Sequence, residues 1–258
     1  MTQGRPAVVW GLVAGHAAAA GRHVSVADVC AVAVRSVQVT GAWVTVSGGG
    51  GPDFVMSVTD PVAEQLAELQ LTLGEGPCHE VLASGAPVLA ADLLDQASGR
   101  RWPGFAPQAL RLGAAAVFAF PLSIGAIHAG VMGLYRDSPG PLPGPRLGDA
   151  LILSDAATML LVDGARNGAG NGAGGNGLPV DGQSPDLALH RAEIDQATGM
   201  VTLQLGVGVA EAFARLRAYA YASDRRLAEV AGDIVARRLR LHPDPPPGGY
   251  QNLSAPSA

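Results

Sequence analysis

The nineteen residues GARNGAGNGAGGNGLPVDG, 164–182, constrain this chain more than any other stretch. Glycine, asparagine and alanine dominate it. Such a run buries too little apolar side chain to offset the entropy of ordering its backbone. The chain is therefore expected to fold as two parts, joined by a flexible linker over 164–185. About 20 residues of this kind span roughly 25 Å root-mean-square. The run contains Gly170-x-Gly172-x-x-Gly175, a formal match to the dinucleotide fingerprint. That motif works between a strand and a helix whose N-terminus meets the pyrophosphate. Inside a Gly/Asn repeat the linker reading is preferred.

Downstream, residues 186–242 read as three short helices. Ser184-Pro185-Asp186 supplies an N-cap, a proline at the first helical position and an early acid. Leu187, Ile194, Ala197, Val201 and Leu205 then share one face, and Gly206-Val207-Gly208 ends the helix. A second helix places Ala212, Phe213, Leu216, Tyr219 and Ala220 together. Ser223 or Asp224 is expected to cap a third, with Leu227, Val230, Ala231, Ile234 and Val235 inward. Residues 243–258, rich in Pro and Gly, read as a disordered tail. Joined only by a Gly/Asn tether, the helical unit is expected to be semi-independent of what precedes it.

Upstream, 25–163 reads as one α/β domain. Ser25-x-x-Asp28 resembles a capping box. Gly41–Ser47 and Phe54–Val58 form a hairpin signal, and Pro61 opens a helix bearing Val62, Leu66 and Leu69. Gly74–Val88 gives a turn, a helix from Pro77 stopped by Gly85, and a short strand. Trp102–Leu112 reads as helix. Ala114–Leu122 and Ile127–Tyr135 form a second hairpin, whose long apolar runs suit a sheet centre. Leu147–Val162 closes the domain as a helix. Residues 1–24 read as a loose N-terminal segment, because Gly11, Gly15 and His16 interrupt its apolar run.

Charge separates the two parts. The chain carries −5 overall, with 17 basic residues, all arginine. Residues 1–163 hold 8 Arg against 13 acids, whereas 215–241 hold 7 Arg against 3. A local basic patch matters more to a phosphate backbone than the global sum. The absence of lysine removes Walker A loops, pyridoxal Schiff bases and kinase-type nucleotide sites. No catalytic triad, metal-ligand spacing or informative carboxylate pair is present, so no enzyme activity, cofactor or metal is expected. Two separated cysteines and no uninterrupted membrane-length run suit a cytoplasmic chain without membrane association.

The second helix has another face, on which Ala214, Arg217, Ala218 and Tyr221 lie. A guanidinium beside an aromatic suits phosphate contact with base stacking. Arg225 and Arg226 follow in the turn, and Gln196 and Gly199 lie opposite the core face of the first helix. The same residues admit plainer readings: Tyr221 packing on the other domain or a second subunit, and Arg217 as a solvated charge. In the upstream domain Cys78 sits at a helix start, where a thiolate is favoured, and His79 is beside it. Redox or ligand contact there competes with a buried, inert thiol.

Residues 194–235 resemble the ANTAR domain through Ala197-x-Gly199-Met200, Ala212-x-x-x-Leu216-Arg217-x-x-Ala220 and Leu227-x-x-Val230-Ala231. The upstream part resembles a GAF domain through Gly74-Glu75-Gly76-Pro77-Cys78, Trp102-Pro103-x-Phe105, Pro121-Leu122 and Gly130-Val131-Met132-Gly133. These resemblances imply an α+β chain: a GAF-like sensor with a central antiparallel sheet flanked by helices, then a three-helix ANTAR domain. They imply an actinobacterial-type transcription antitermination regulator, acting as a homodimer on paired RNA stem-loops, with a signal or small molecule at the sensor. The RNA contacts expected are Arg217, Tyr221, Arg225, Arg226, Gln196 and Gly199. The alternative is a DNA-binding regulator with a ligand- or redox-sensing GAF domain.

Overall fold

The computed structural model describes residues 4–47, 52–125, 127–168 and 184–242. Its centre is an antiparallel sheet of five strands: β1 (Gly41–Val46), β2 (Phe54–Val58), β3 (Val88–Ala90), β4 (Ala116–Ile124) and β5 (Ile127–Arg136). Their spatial order is β2-β1-β5-β4-β3. The two hairpins read from sequence are both present, and β5 takes the middle because it pairs with β1 and β4. Irregular register at Val44/Thr45 and at Leu122/Ser123 accompanies the hairpin ends.

Helices cover both faces, which explains why β4 and β5 read as continuous apolar runs. On one face Ala42, Val44, Phe118, Phe120, Met132 and Leu134 form a core with α2 (Val26–Ala33) and α7 (Gly144–Gly168). On the other face Trp43, Val117, Ala119, Val131 and Tyr135 pack under α3 (Pro61–Leu73), α4 (Pro77–Ser84) and α6 (Phe105–Arg111). The Trp102–Leu112 segment begins helically only at Phe105. A short α5 (Gln96–Arg101) that sequence reading missed precedes it, with Asp95 Oδ1 accepting from the Ser98 amide at 2.6 Å. A π turn, Val34–Gln38, continues α2.

The N-terminal segment is not loose. Arg5–Ala19 forms α1, and Val9, Val13 and Ala17, four residues apart, are buried. Gly11 and Gly15, which argued against a helix, face open space. Buried Asp28 anchors α1 and its exit: it accepts from His16 Nδ1 at 2.7 Å and from both Arg22 Nη atoms at 2.6 Å. Arg5 Nε donates to Asp149 of α7 at 2.6 Å.

Gly164–Gly168, expected as linker, completes α7. The rest of the Gly/Asn run, including the Gly170–Gly175 motif, and the tail from 243 lie outside the described residues. Beyond them come α8 (Pro185–Leu205), α9 (Val209–Ala222) and α10 (Leu227–Val235). Ala197, Val201, Ala212, Leu216, Leu227, Val230 and Ile234 close their core. Ser184 caps α8 as read, accepting from the Leu187 amide. Neither Ser223 nor Asp224 caps α10. Asp224 turns left-handed at φ 51°, and the helix starts after Arg226.

The helical unit is also not a free module. It docks on the first domain through α3 and β2. Charged and apolar groups both meet there: Glu64 and Glu68 of α3 pair with Arg226, and Arg191 lies over Phe54 of β2.

Candidate nucleic-acid interface

The arginines read as contact residues come from α9 and the turn after it. Alanines at 214 and 218 flank Arg217 and Tyr221 on this face; Arg217 is half-buried against the first domain, whereas Tyr221 is open to solvent. Tyr221 is 58% exposed. It borders a cleft of about 250 Å³ shared with Arg225, Arg226, Gln65, Glu68 and Gln108. Three of the expected residues therefore converge on one opening between the domains. Gln196 and Gly199 do not join them. They lie on the exposed face of α8, and a Cβ on Gly199 would meet nothing within 4 Å. Among the described residues no close backbone approach accounts for that glycine.

Each arginine is held differently. Arg225 pairs within its own unit, with Asp233 at 2.7 Å and Glu229 at 3.8 Å. These carboxylates raise its pKa, and Asp233 in turn is held low by Arg225 and Arg238. Arg226 reaches across to α3, donating from Nε to Glu68 Oε2 at 2.6 Å and from Nη2 to Glu64 Oε1 at 2.7 Å. Burial pulls the Arg226 pKa down, but hydrogen bonds and charge from Glu64 and Glu68 outweigh it and raise it. Arg217 donates from Nε to the Thr72 carbonyl at 3.0 Å and lies over Gly74, the left-handed C-cap of α3. There a side chain would collide with the guanidinium. Burial lowers the Arg217 pKa, opposed by the charge of Asp53.

Two contacts escaped sequence reading. Arg191 of α8 sits 3.5 Å from the ring centroid of Phe54 in β2, a cation–π contact. Glu68 Oε1 accepts the Ala228 amide at 3.0 Å and so caps α10 from another domain. No local signal could reveal this cap, because its partner lies 160 residues away.

The sensor-side residues fall beside the same interface. Cys78, His79, Gln70, Asp53, Phe213 and Arg217 border a cavity of about 70 Å³. The Cys78 amide donates to Gln70 Oε1 at 2.7 Å. Its thiol is buried, and burial pushes it up to about 12, with the polar groups of Gln70 and Trp43 opposing. The thiolate that a helix N-terminus favours is thus suppressed by desolvation. Cys30, also buried, is likewise pushed up to about 12. Among the described residues no group of three or more His, Cys, Asp or Glu side chains is placed to hold a metal ion. No single helix among them is long and apolar enough to cross a membrane.

Fold and site together define a two-domain protein, in which an arginine-bearing three-helix unit is clamped on an α+β domain. The three-helix unit is an ANTAR domain: the family model of that description matches residues 188–235. For the first domain, similar solved structures include the GAF domain of a phosphoenolpyruvate-protein phosphotransferase from Coxiella burnetii. It is 13% identical, covers 64% of this chain and 99% of that one, and has a TM-score of 0.49. The GAF domain of the Acinetobacter phosphotransferase is 11% identical, covering 66% and 99%, with a TM-score of 0.46. The GAF-B domain of DevS from Mycobacterium smegmatis is 18% identical, covering 63% and 98%, with a TM-score of 0.39. No curated protein matches the chain.

Proposed function

We propose that this protein is a cytoplasmic RNA-binding regulator of transcription antitermination, whose first domain is a GAF-like sensor. The ANTAR domain implies RNA binding in antitermination, and the Gly74–Cys78 and Gly130–Gly133 motifs support the GAF-like reading. The protein works by binding, not by catalysis. The carrying observation is that the ANTAR domain itself sets Tyr221, Arg225 and Arg226 side by side. Exposed tyrosine offers a stacking platform for an unpaired loop base, and guanidinium groups track the phosphates around it. A small-molecule signal at the first domain shifts the competent population. A homodimer is part of this proposal. Leu189, Ala192, Gln196, Gly199 and Leu203 form an exposed stripe on α8 at alternating spacings of three and four, and Leu203 is 86% exposed.

Gel-shift titration against tandem stem-loop RNA, with duplex DNA alongside, tests this reading at fixed salt. Tyr221→Ala is expected to weaken RNA binding by about 5- to 100-fold, the worth of one stacked base. Arg217→Ala is expected to weaken it and to flatten the salt dependence by about one phosphate contact. Wild-type affinity in both variants, or preference for the duplex, sinks the assignment.

A further inference from the structure

Helix α10 begins without a cap of its own. Its N-cap is Arg226, which makes no side-chain cap bond, so the first-turn amides need an acceptor from elsewhere. Glu68 supplies one, and the same carboxylate accepts a hydrogen bond from Arg226 Nε. Glu64, one turn earlier on α3, accepts a hydrogen bond from Arg226 Nη2 and lies 3.6 Å from His190 Nδ1. Two carboxylates of one domain thus fill a constellation made by the other: a guanidinium fork beside an amide at a helix N-terminus. That donor set also suits a phosphate group, through charge-assisted hydrogen bonds and the helix dipole.

The anion already seated there is the protein's own. Glu68 is 8% exposed and buried by the contact, whereas Tyr221 and Arg225 stay at the cleft mouth beside it. Arg217, a further arginine turned toward the first domain, is held by a backbone carbonyl of the same helix. Helix α3 is in turn tied to the sheet: Asp60 caps it through the Val62 and Ala63 amides and accepts the Tyr135 hydroxyl at 3.0 Å. The elements that would report on a signal therefore carry the residues that occupy the ANTAR arginines.

We propose that Glu64 and Glu68 are an internal decoy for RNA phosphate. They hold the ANTAR domain docked by occupying Arg226 and the α10 N-terminus, and RNA competes with α3 for these donors. This rests on the RNA-binding reading above. Two anions cannot share the same protons, so docking and this phosphate contact exclude each other. RNA binding requires release of the clamp, and a signal that loosens α3 activates the protein.

The full-length chain tests this with Glu64→Ala/Glu68→Ala, read by two measurements. Amide hydrogen exchange over residues 227–230 reports the cap, and titration with a pool of tandem stem-loop RNAs of randomised loops reports binding at matched salt. The expected result is faster exchange together with RNA binding about ten-fold tighter or more, the usual scale of such coupling. Adding Arg226→Gln should remove that gain. If the alanine pair does not fold, Glu64→Gln/Glu68→Gln, which keeps side-chain volume, takes its place. Faster exchange with unchanged RNA affinity overturns the decoy and leaves RNA binding standing. Unchanged exchange also overturns it, because the clamp then does not hold α10. If neither wild type nor variant binds any RNA in the pool, the RNA-binding reading falls, and the decoy with it.

Discussion

Arginine and cysteine show how far a residue's chemistry depends on what covers it. Arg217, Arg225 and Arg226 are the same side chain within ten positions, yet one meets a carbonyl, one an intradomain aspartate and one a pair of interdomain glutamates. Burial lowers the Arg217 pKa, while carboxylates raise those of Arg225 and Arg226. Cys78 shows a similar contest between local and tertiary effects. Its place at the start of α4 favours a thiolate, but enclosure pushes it to about 12. Both thiols are therefore expected to resist a disulfide reagent such as Ellman's at pH 8 in the native chain and to react after unfolding. A Cys78 that reacts in the native state would restore thiolate chemistry to that helix start.

At the scale of elements, α1 and α10 are both fixed by acids outside themselves. The buried Asp28 carboxylate ties the chain after α1 to α2. Burial alone would raise its pKa, but hydrogen bonds from Arg22, His16 and Ser25 outweigh this and hold it at about 2, below its ordinary 3.8. A depressed folded pKa stabilises the fold above the unfolded value and loses that contribution as pH falls. The window thus runs from about pH 4 down through pH 2, and the contribution is about 2 kcal/mol. Asp28→Asn is expected to lose about that much in urea unfolding at pH 7 and to show a flatter acid limb between pH 4 and 2. Equal acid sensitivity in the two proteins would remove Asp28 from this role. Helix α10 shows the same dependence across a domain boundary, because its cap is Glu68.

Over the whole molecule, charge asymmetry does more than mark a nucleic-acid face. The acidic first domain and the basic second one are complementary, and the nearest polyanion to the ANTAR arginines is the rest of the chain. Reversing one charge should therefore change overall shape. Glu68→Arg sets two guanidinium groups against each other at a largely buried position and is expected to undock the helical unit. Small-angle scattering would record this as a radius of gyration larger than wild type. An unchanged radius would show that the apolar and cation–π contacts around Phe54 hold the domains without the clamp.

Much of the architecture was legible because it is local. Apolar periodicity, prolines at helix starts and glycines at helix ends announce both hairpins, α3, α4 and the three ANTAR helices within windows of a few residues. Where legibility failed, the deciding partner was remote. Two glycines break the apolar pattern of α1 and make it read as a loose segment, yet both face solvent while Val9 and Val13 pack inward. A free third helix capped by Ser223 or Asp224 was expected, and a carboxylate from α3 caps it instead. That a basic helical unit follows an α+β domain is written in consecutive residues, because composition and period are local properties. That this unit is docked with Arg226 occupied emerges only in three dimensions, because an ion pair depends on separation in space.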